Sequence, residues 1–313
     1  MEASSTAAGT RAVPTLGAAR RRWGEDVIKA LLILAALLSI LTTTGIVVAL
    51  LRETIDFFGS VGITEFLFGT KWTPLFNPGS FGVIPLVIGT FLITGIALLV
   101  ATPLGLGAAI YLSEYAKPRT RKTLKPILEV LAGVPTIVFG YFALTFFTPN
   151  ILQDLFNAKV DIFNALSAGI IMGFMIIPTI ASVAEDAMSA VPQSLREGAY
   201  GLGSSKLQVS TRIVFPAALS GIVAAIVLGF SRAVGETMIV LLASGQVANN
   251  SLDPREPHFS LASFIGSTAG GDTPTGSIEY KTIFAVGMLL FVITLILNLI
   301  SIRFVRKYMQ VYE

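Results

Sequence analysis

The chain has 313 residues, of which 53% are hydrophobic and only 13% charged, with a mean hydropathy of +0.77. Soluble domains carry about 25% charged residues, so a water-soluble globule is excluded and a multi-span membrane protein is indicated. There is no cysteine, which removes disulfides, thiolate metal sites and cysteine nucleophiles; the one histidine, His258, cannot form a metal cluster alone and is expected on a wet loop.

Residues 1–26 are polar and small and include Arg20, Arg21 and Arg22. No signal-peptide cleavage pattern follows, and the segment reads as a disordered cytosolic tail. A helix needs about 20 apolar residues to cross a bilayer. Six stretches qualify: roughly 27–51, 82–113, 126–147, 163–184, 216–243 and 282–302. They make residues 27–307 one transmembrane domain, with 308–313 as a C-terminal tail. The second and fifth are long enough to tilt or to extend into water.

Smaller features mark the elements in turn. Trp72, Pro74 and Pro78 fall in an outer connection. Glu114 closes span two and is expected to pair with the nearby basic loop. Pro135 and Pro178 are expected to kink spans three and four. Gly169 and Gly173 form a G-x-x-x-G of the kind that helix bundles use for packing. Glu185 and Asp186 end span four and read as a solvated boundary. The stretch "GSTAGGDTPTGS" (266–277) reads as a flexible loop before span six.

Basic residues set the orientation. Arg11, Arg20, Arg21, Arg22 and Lys29 flank span one. Lys117, Arg119, Arg121, Lys122 and Lys125 follow span two. Arg196, Lys206 and Arg212 follow span four, and Arg303, Arg306 and Lys307 follow span six. The other side holds Arg52, Lys71, Lys159, Arg255 and Lys281. The excess of Lys and Arg puts both termini in the cytosol.

One cytosolic loop is not lipid-like: "PQSLREGAYGLGSSKLQVSTRIVFPAALSG" (192–221). It reads as helix, small-residue turn, second helix, then Pro216 opening span five. Ser194 and Glu197 have capping-box spacing, and Gly201 and Gly203 supply the break. Gly198 and Gly203 have the spacing of a phosphate-binding loop, but Ser204 stands where the motif needs the phosphate-binding lysine, so ATP binding is not indicated.

Span five contains "FSRAVGETMIV" (230–240), with Arg232 and Glu236 four residues apart. A charge in the bilayer centre costs ~2.5–3.5 kcal/mol on the insertion scale. Measured from Pro216 at 1.5 Å per residue, Arg232 lies about 24 Å and Glu236 about 30 Å along a continuous helix. Ala217, Gly221, Ala225, Gly229 and Ala233 form a small-residue stripe for close packing. Two readings of the charges stay open. One is a buried, mutually neutralising i,i+4 salt bridge of little net stabilising value. The other is a role in anion passage, in which the planar guanidinium replaces hydration water and the carboxylate competes for it so that the ion leaves. Ser231 and Thr237 are further candidates, although span hydroxyls commonly bond to backbone.

The loop resembles the coupling loop of binding-protein-dependent ATP-binding-cassette (ABC) importers, E-A-A, three residues, Gly, nine residues, I-x-L-P. Here Glu197-Gly198-Ala199 is followed by Gly203 and by Ile213-Val214-Phe215-Pro216. Gly198 replaces the first Ala and Phe215 replaces Leu, which keeps size class or apolar character. Further stretches resemble the phosphate-specific transport (Pst) permeases, and among them the PstC branch. They are Trp72-Thr73-Pro74, Phe81-Gly82-Val83-Ile84-Pro85-Leu86, "GLGAAIYLSEYA" (105–116), "LAGVPTIVFG" (131–140) and "SRAVGETM" (231–238).

The resemblance implies an all-α integral membrane protein with six transmembrane helices in the type I (MetI-like) ABC importer permease fold. It implies inorganic phosphate as substrate and a homologous PstA-like permease subunit, two PstB-like ATPase subunits and a periplasmic or lipid-anchored PstS-like phosphate-binding protein as partners. No cofactor, metal or nucleic acid is implied, and ATP hydrolysis falls to the partner. Glu197, Gly198, Ala199, Gly203 and Pro216 become the ATPase-coupling residues, and Arg232 and Glu236 the phosphate pathway. Three alternatives remain: a permease for molybdate or sulfate, an ion-gradient-driven carrier, and a phosphate-signalling scaffold.

Overall fold

The computed structural model describes residues 23–76 and 78–308. The expected N-terminal tail falls outside these up to residue 22, whereas 23–26 already open the first helix; of the expected C-terminal tail, 309–313 also fall outside. In chain order the helices are α1 (Trp23–Phe58), α2 (Ile63–Phe68), α3 (Ile84–Ile110), α4 (Pro118–Ala132), α5 (Thr136–Phe142), α6 (Ala165–Ser189), α7 (Gln193–Gly201), α8 (Lys206–Val209), α9 (Phe215–Ala217), α10 (Leu219–Val234), α11 (Met238–Ala243), α12 (Leu261–Ala269) and α13 (Ile278–Tyr308). Three π-helical stretches extend them: π1 (Tyr111–Tyr115), π2 (Ala143–Leu155) and π3 (Ser210–Val214). A two-residue hairpin, β1 (Trp72–Thr73) with β2 (Ser80–Phe81), pairs Trp72 with Phe81.

Four helices are long and apolar enough to cross a membrane: Glu25–Phe58, Ile84–Tyr115, Ala165–Ser189 and Ile278–Arg303. The other two expected spans are bent pairs. Pro118–Ala132 meets Thr136–Leu155 at 83°, and Lys206–Ala217 meets Leu219–Val234 at 73°. Proline accounts for both. Pro135 holds ψ at 132° and excludes Val134 from helical geometry. Pro216 lacks the amide that a regular helix needs, and the chain before it loosens into π3. Pro178, by contrast, lies inside an unbroken α6.

The described residues fall into two compact units, 23–49 and 50–308. In the first, the described part is the N-terminal portion of α1, whose Leu31, Leu34, Leu38 and Leu41 are exposed. The second unit is built around α3, α6 and α10. Lipid tails give helices no hydrophobic reason to associate, so close backbone approach does it. A Cβ on Gly169 would lie 2.7 Å from Ile96, and one on Gly173 would lie 2.8 Å from the Ala97 carbonyl, so the G-x-x-x-G is the α3–α6 seam. The expected stripe on α10 packs on α6: Gly221 faces Ala187, Gly229 faces Ile176 and Ile180, and Ala225 and Ala233 are buried. Ala217 precedes the bend and is only partly covered.

A second, aromatic core lies around the hairpin. Trp72 meets Phe264 edge-on at 4.9 Å and 89°, and Phe57 meets Phe66 and Phe81 at 5.6 and 5.7 Å. Edge-to-face pairs of this kind add stabilisation beyond area burial.

Four expectations are corrected. Glu185 is not a solvated boundary: its side chain is 0% exposed and takes Arg121 and Lys125 of α4 as ion partners, while Asp186 remains 62% exposed. His258 is buried rather than on a wet loop, because its two ring nitrogens lie 3.0 and 2.8 Å from the carbonyls of Glu256 and Ser251. Residues 266–269 are helical, since Ser260 and Ser263 form a capping box that starts α12. Ser194 does not cap α7: Pro192 is the N-cap, so Ser194 already lies within the first turn. The capping box of this loop is Ser205 with Gln208, on α8.

Candidate functional site

Span five is interrupted where its charges lie. α10 stops at Val234 with Gly235 as its C-cap, and Thr237 precedes α11. Arg232 Nη1 donates to Thr179 Oγ1 of α6 at 2.9 Å. Glu236 folds forward: its Oε1 accepts from the amides of Met238 and Ile239 at 3.0 and 3.3 Å, and the residue is 9% exposed. These amides are donors that a helix start leaves free, and a carboxylate there is favoured by the helix dipole. The expected i,i+4 salt bridge is therefore absent, because the helix that would set its spacing ends between the two residues. Arg232 has no carboxylate partner among the described residues.

The other two candidates point elsewhere. Ser231 Oγ donates to Asn298 Oδ1 of α13 at 3.1 Å. Thr237 Oγ1 donates to the Gly235 carbonyl at 3.4 Å, and its methyl covers Gly266 of α12. The four residues thus tie one helix break to α6, α13, α11 and α12. Gly140 of α5 closes the break from another side; a Cβ there would lie 3.0 Å from the Met238 carbonyl. Sequence reasoning missed Thr179 and Asn298. Their signal was a lone polar residue in an apolar run, which is too common to single out.

The hairpin of α7 and α8 shows two kinds of surface. Glu197 is exposed, and Gly198 has open space around it. Gly203 takes φ +83°, a left-handed turn that glycine adopts without steric cost, and it too faces open space. Ala199 points the other way and is buried with Val209 and Val214 in the core of the spans. Pro216 is exposed beside the 73° bend. Leu202, which the sequence reading passed over, is 90% exposed at the tip.

On the loop between α11 and α12, Arg255 grips Asp253 through Nε and Nη2. These hydrogen bonds hold the Asp253 carboxyl down at about 2.

Comparison with known proteins agrees with this architecture. Residues 101–255 match the family described as "Binding-protein-dependent transport system inner membrane component". The chain is 35% identical to the "Probable ABC transporter permease protein YqgH" of Bacillus subtilis, over 75% of each chain. It is 31% identical to the "Phosphate transport system permease protein PstC" of Haemophilus influenzae, over 92% of this chain and 95% of that one. Among solved structures, a bacterial alginate ABC transporter superposes with TM-score 0.62 at 17% identity, covering 94% of this chain and 100% of that one. The MetNI methionine ABC transporter, inward facing, gives 0.52 at 18%, covering 73% and 95%. These two establish the fold only: a MetI-like ABC permease.

Proposed function

The chain belongs to the inner-membrane permeases of binding-protein-dependent ABC transporters, on the PstC phosphate-permease branch, and we propose that it is the subunit through which inorganic phosphate crosses the cytoplasmic membrane. The observation that carries this reading is the Arg232 guanidinium, buried to an intermediate degree in a span, anchored by Thr179 and not neutralised by any carboxylate among the described residues. Such a charge is tolerated in a membrane where it faces a polar cavity or a ligand. Its planar fork matches phosphate oxygens. Irregular backbone at membrane depth is likewise tolerated where it lines a path or is buried in protein, and the break at 235–237 supplies it.

Glu236 acts through the backbone on this reading. It caps α11 and so keeps the break open, and its negative charge, a few residues from Arg232, keeps phosphate from binding too firmly to leave. Ser231 and Thr237 position the break against α13 and α12.

The remaining parts follow from the same reading. Both termini are cytosolic, and 192–214 is the coupling loop within a transmembrane domain of 27–307. Its exposed Glu197, Gly198, Gly203 and Leu202 offer the docking face for an ATPase subunit; Ala199 and Pro216 join that face to the spans. A PstA-like permease completes the path, two PstB-like subunits hydrolyse ATP, and a PstS-like protein delivers phosphate from outside. Rigid-body rearrangement opens the cavity to each side in turn, with no covalent chemistry in this chain.

The deciding experiment is uptake of radiolabelled phosphate by vesicles holding the assembled transporter, with sulfate and molybdate as competitors. ATP-dependent uptake that only unlabelled phosphate displaces is expected. Displacement by molybdate or sulfate would reassign the substrate, and uptake without an ATPase subunit would overturn the mechanism.

A further inference from the structure

The cytosolic hairpin is joined to the spans by more than its covalent ends. Arg196, on α7 next to the exposed Glu197, points inward. Its Nε and Nη2 lie 3.3 and 3.1 Å from Glu114 Oε1 on π1, the cytosolic extension of α3. Nη2 also donates to the Met188 carbonyl at 2.8 Å, and Nη1 to the Val191 carbonyl. The Met188 carbonyl lies in the last turn of α6, where the helix dipole favours a cation, and the Val191 carbonyl lies just beyond the Ala190 C-cap. The side chains of Arg196 and Glu114 are 11% and 4% exposed. On the opposite arm of the hairpin, Lys206 Nζ stands 4.9 Å from the centroid of the Tyr115 ring. Both arms are therefore fastened to π1, and one of them to α6 as well.

We propose that Arg196 is a positioning residue that locks the hairpin to the ends of α3 and α6, so that a push on the hairpin moves both spans as one body. This rests on the reading of 192–214 as the coupling loop. Three features make the lock rigid. The guanidinium is planar and makes all its bonds in one plane of approach. The α3–α6 seam has no slack at Gly169 and Gly173. A buried ion pair resists separation, because breaking it strands a charge. Beyond the seam, Thr179 of α6 holds Arg232, so displacement at α7 reaches the candidate path through α6.

The test uses the assembled transporter in proteoliposomes with inorganic phosphate. Arg196→Gln is expected to leave ATPase binding and ATP hydrolysis near native while phosphate moved per ATP falls about tenfold, the scale on which single positions alter coupling. Arg196→Lys, which keeps the charge but cannot reach Glu114 and both carbonyls together, recovers part of that yield. Because the chain has no cysteine, spin labels at Ser194→Cys, exposed on α7 outside the proposed docking face, and at Leu104→Cys report directly on the joint. A narrow distance distribution in the parent and a broad one with Arg196→Gln is the signature expected. Unchanged yield with an unchanged distribution overturns the proposal. Should Arg196→Gln fail to assemble, Glu114→Gln carries the same two measurements, with the same results supporting or overturning the lock. Failure of the coupling-loop reading looks different: the paired change Glu197→Arg with Leu202→Asp would then leave ATPase binding intact.

Discussion

Arg232 and Glu236 are four residues apart in the chain and make no bond to each other: one reaches back to Thr179 on α6, the other forward to the amides of Met238 and Ile239. The negative charge is offset by backbone donors. Among the described residues the positive one has a single neutral hydroxyl, which does not offset a charge. An arrangement built for stability alone would pair the two. On the proposed reading, the separation leaves a fixed cation available to an anion that comes and goes.

Arg232→Gln is accordingly expected to lower ATP-driven phosphate uptake by about a hundredfold while the complex still assembles. Arg232→Lys falls between, since an ammonium is a point charge without the fork. Thr179→Val removes one hydrogen bond to a charged group, worth about 1.5 kcal/mol, and lowers uptake about tenfold. Initial uptake rates, set beside co-purification of the partners, decide the matter. Loss of assembly in Arg232→Gln would make its role structural.

Glu236 separates into cap and charge. Glu236→Ala strands two amides and is expected to destabilise the region by about 1–2 kcal/mol. Glu236→Gln retains an acceptor oxygen and should lose well under half of that. Thermal unfolding in detergent measures the difference. Equal loss in both variants would show that the charge, and not the cap, matters to stability.

The legible part of this fold is what composition and local spacing determine. Six apolar stretches, the inward-facing small residues of α10 and the Gly169–Gly173 seam all follow from residues near one another in sequence. Illegible features depend on partners far along the chain. Glu185 looks like a boundary acid until α4 brings Arg121 and Lys125 to it from some sixty positions earlier. His258 reads as a loop residue until its own loop folds back to present two carbonyls. Hydropathy counts residues without regard to direction, so it does not register the bend near Pro216 or the break after Val234, whereas the bend at Pro135 is expected from the proline itself. In the hairpin, Ser194 and Glu197 had the right spacing, but Pro192 starts the helix earlier and the spacing went unused. For the candidate path, sequence supplied Arg232 and Glu236 and could not supply Thr179, which becomes a neighbour only through the α6–α10 packing.

The clasp around Glu185 should matter to stability more than to transport. Glu185→Ala leaves Arg121 without a carboxylate while Lys125 keeps Asp186 at 2.6 Å; Arg121 is 40% exposed, so water compensates in part and the cost is about 2 kcal/mol rather than the full value for a buried pair. Glu185→Gln keeps hydrogen bonds to Ser189 and Lys125 and should cost less. Unfolding midpoints in low and high salt give the answer. A midpoint for Glu185→Ala equal to that of the parent would show that the clasp contributes nothing.

Asp253 offers a pH prediction. Its folded carboxyl titrates at about 2, below the ordinary 3.8, because Arg255 hydrogen-bonds the ionised form. A depressed acid contributes stability above its unfolded value and loses it as pH falls through the folded one. The loop around 251–255 should therefore hold its shape from neutral pH down to about 4 and loosen between there and about 2. Solvent protection of the Arg255 amide, which donates to Asp253, reports this directly. Loosening already at pH 6 would assign the loop's stability to another group.

Gly203 turns the hairpin at φ +83° with nothing within 4 Å of a would-be Cβ. Any substitution there is penalised through backbone conformation alone, by about 1–2 kcal/mol for an ordinary residue. Asn tolerates this region best, and a β-branched residue least. The ranking expected for phosphate moved per ATP is therefore parent, Asn, Ala, Val, with Val reduced several-fold while ATP hydrolysis continues. The order matters more than any single value, because it separates a turn requirement from loss of a contact: if Gly203 simply touches the ATPase, side-chain volume sets the ranking and Ala outperforms Asn.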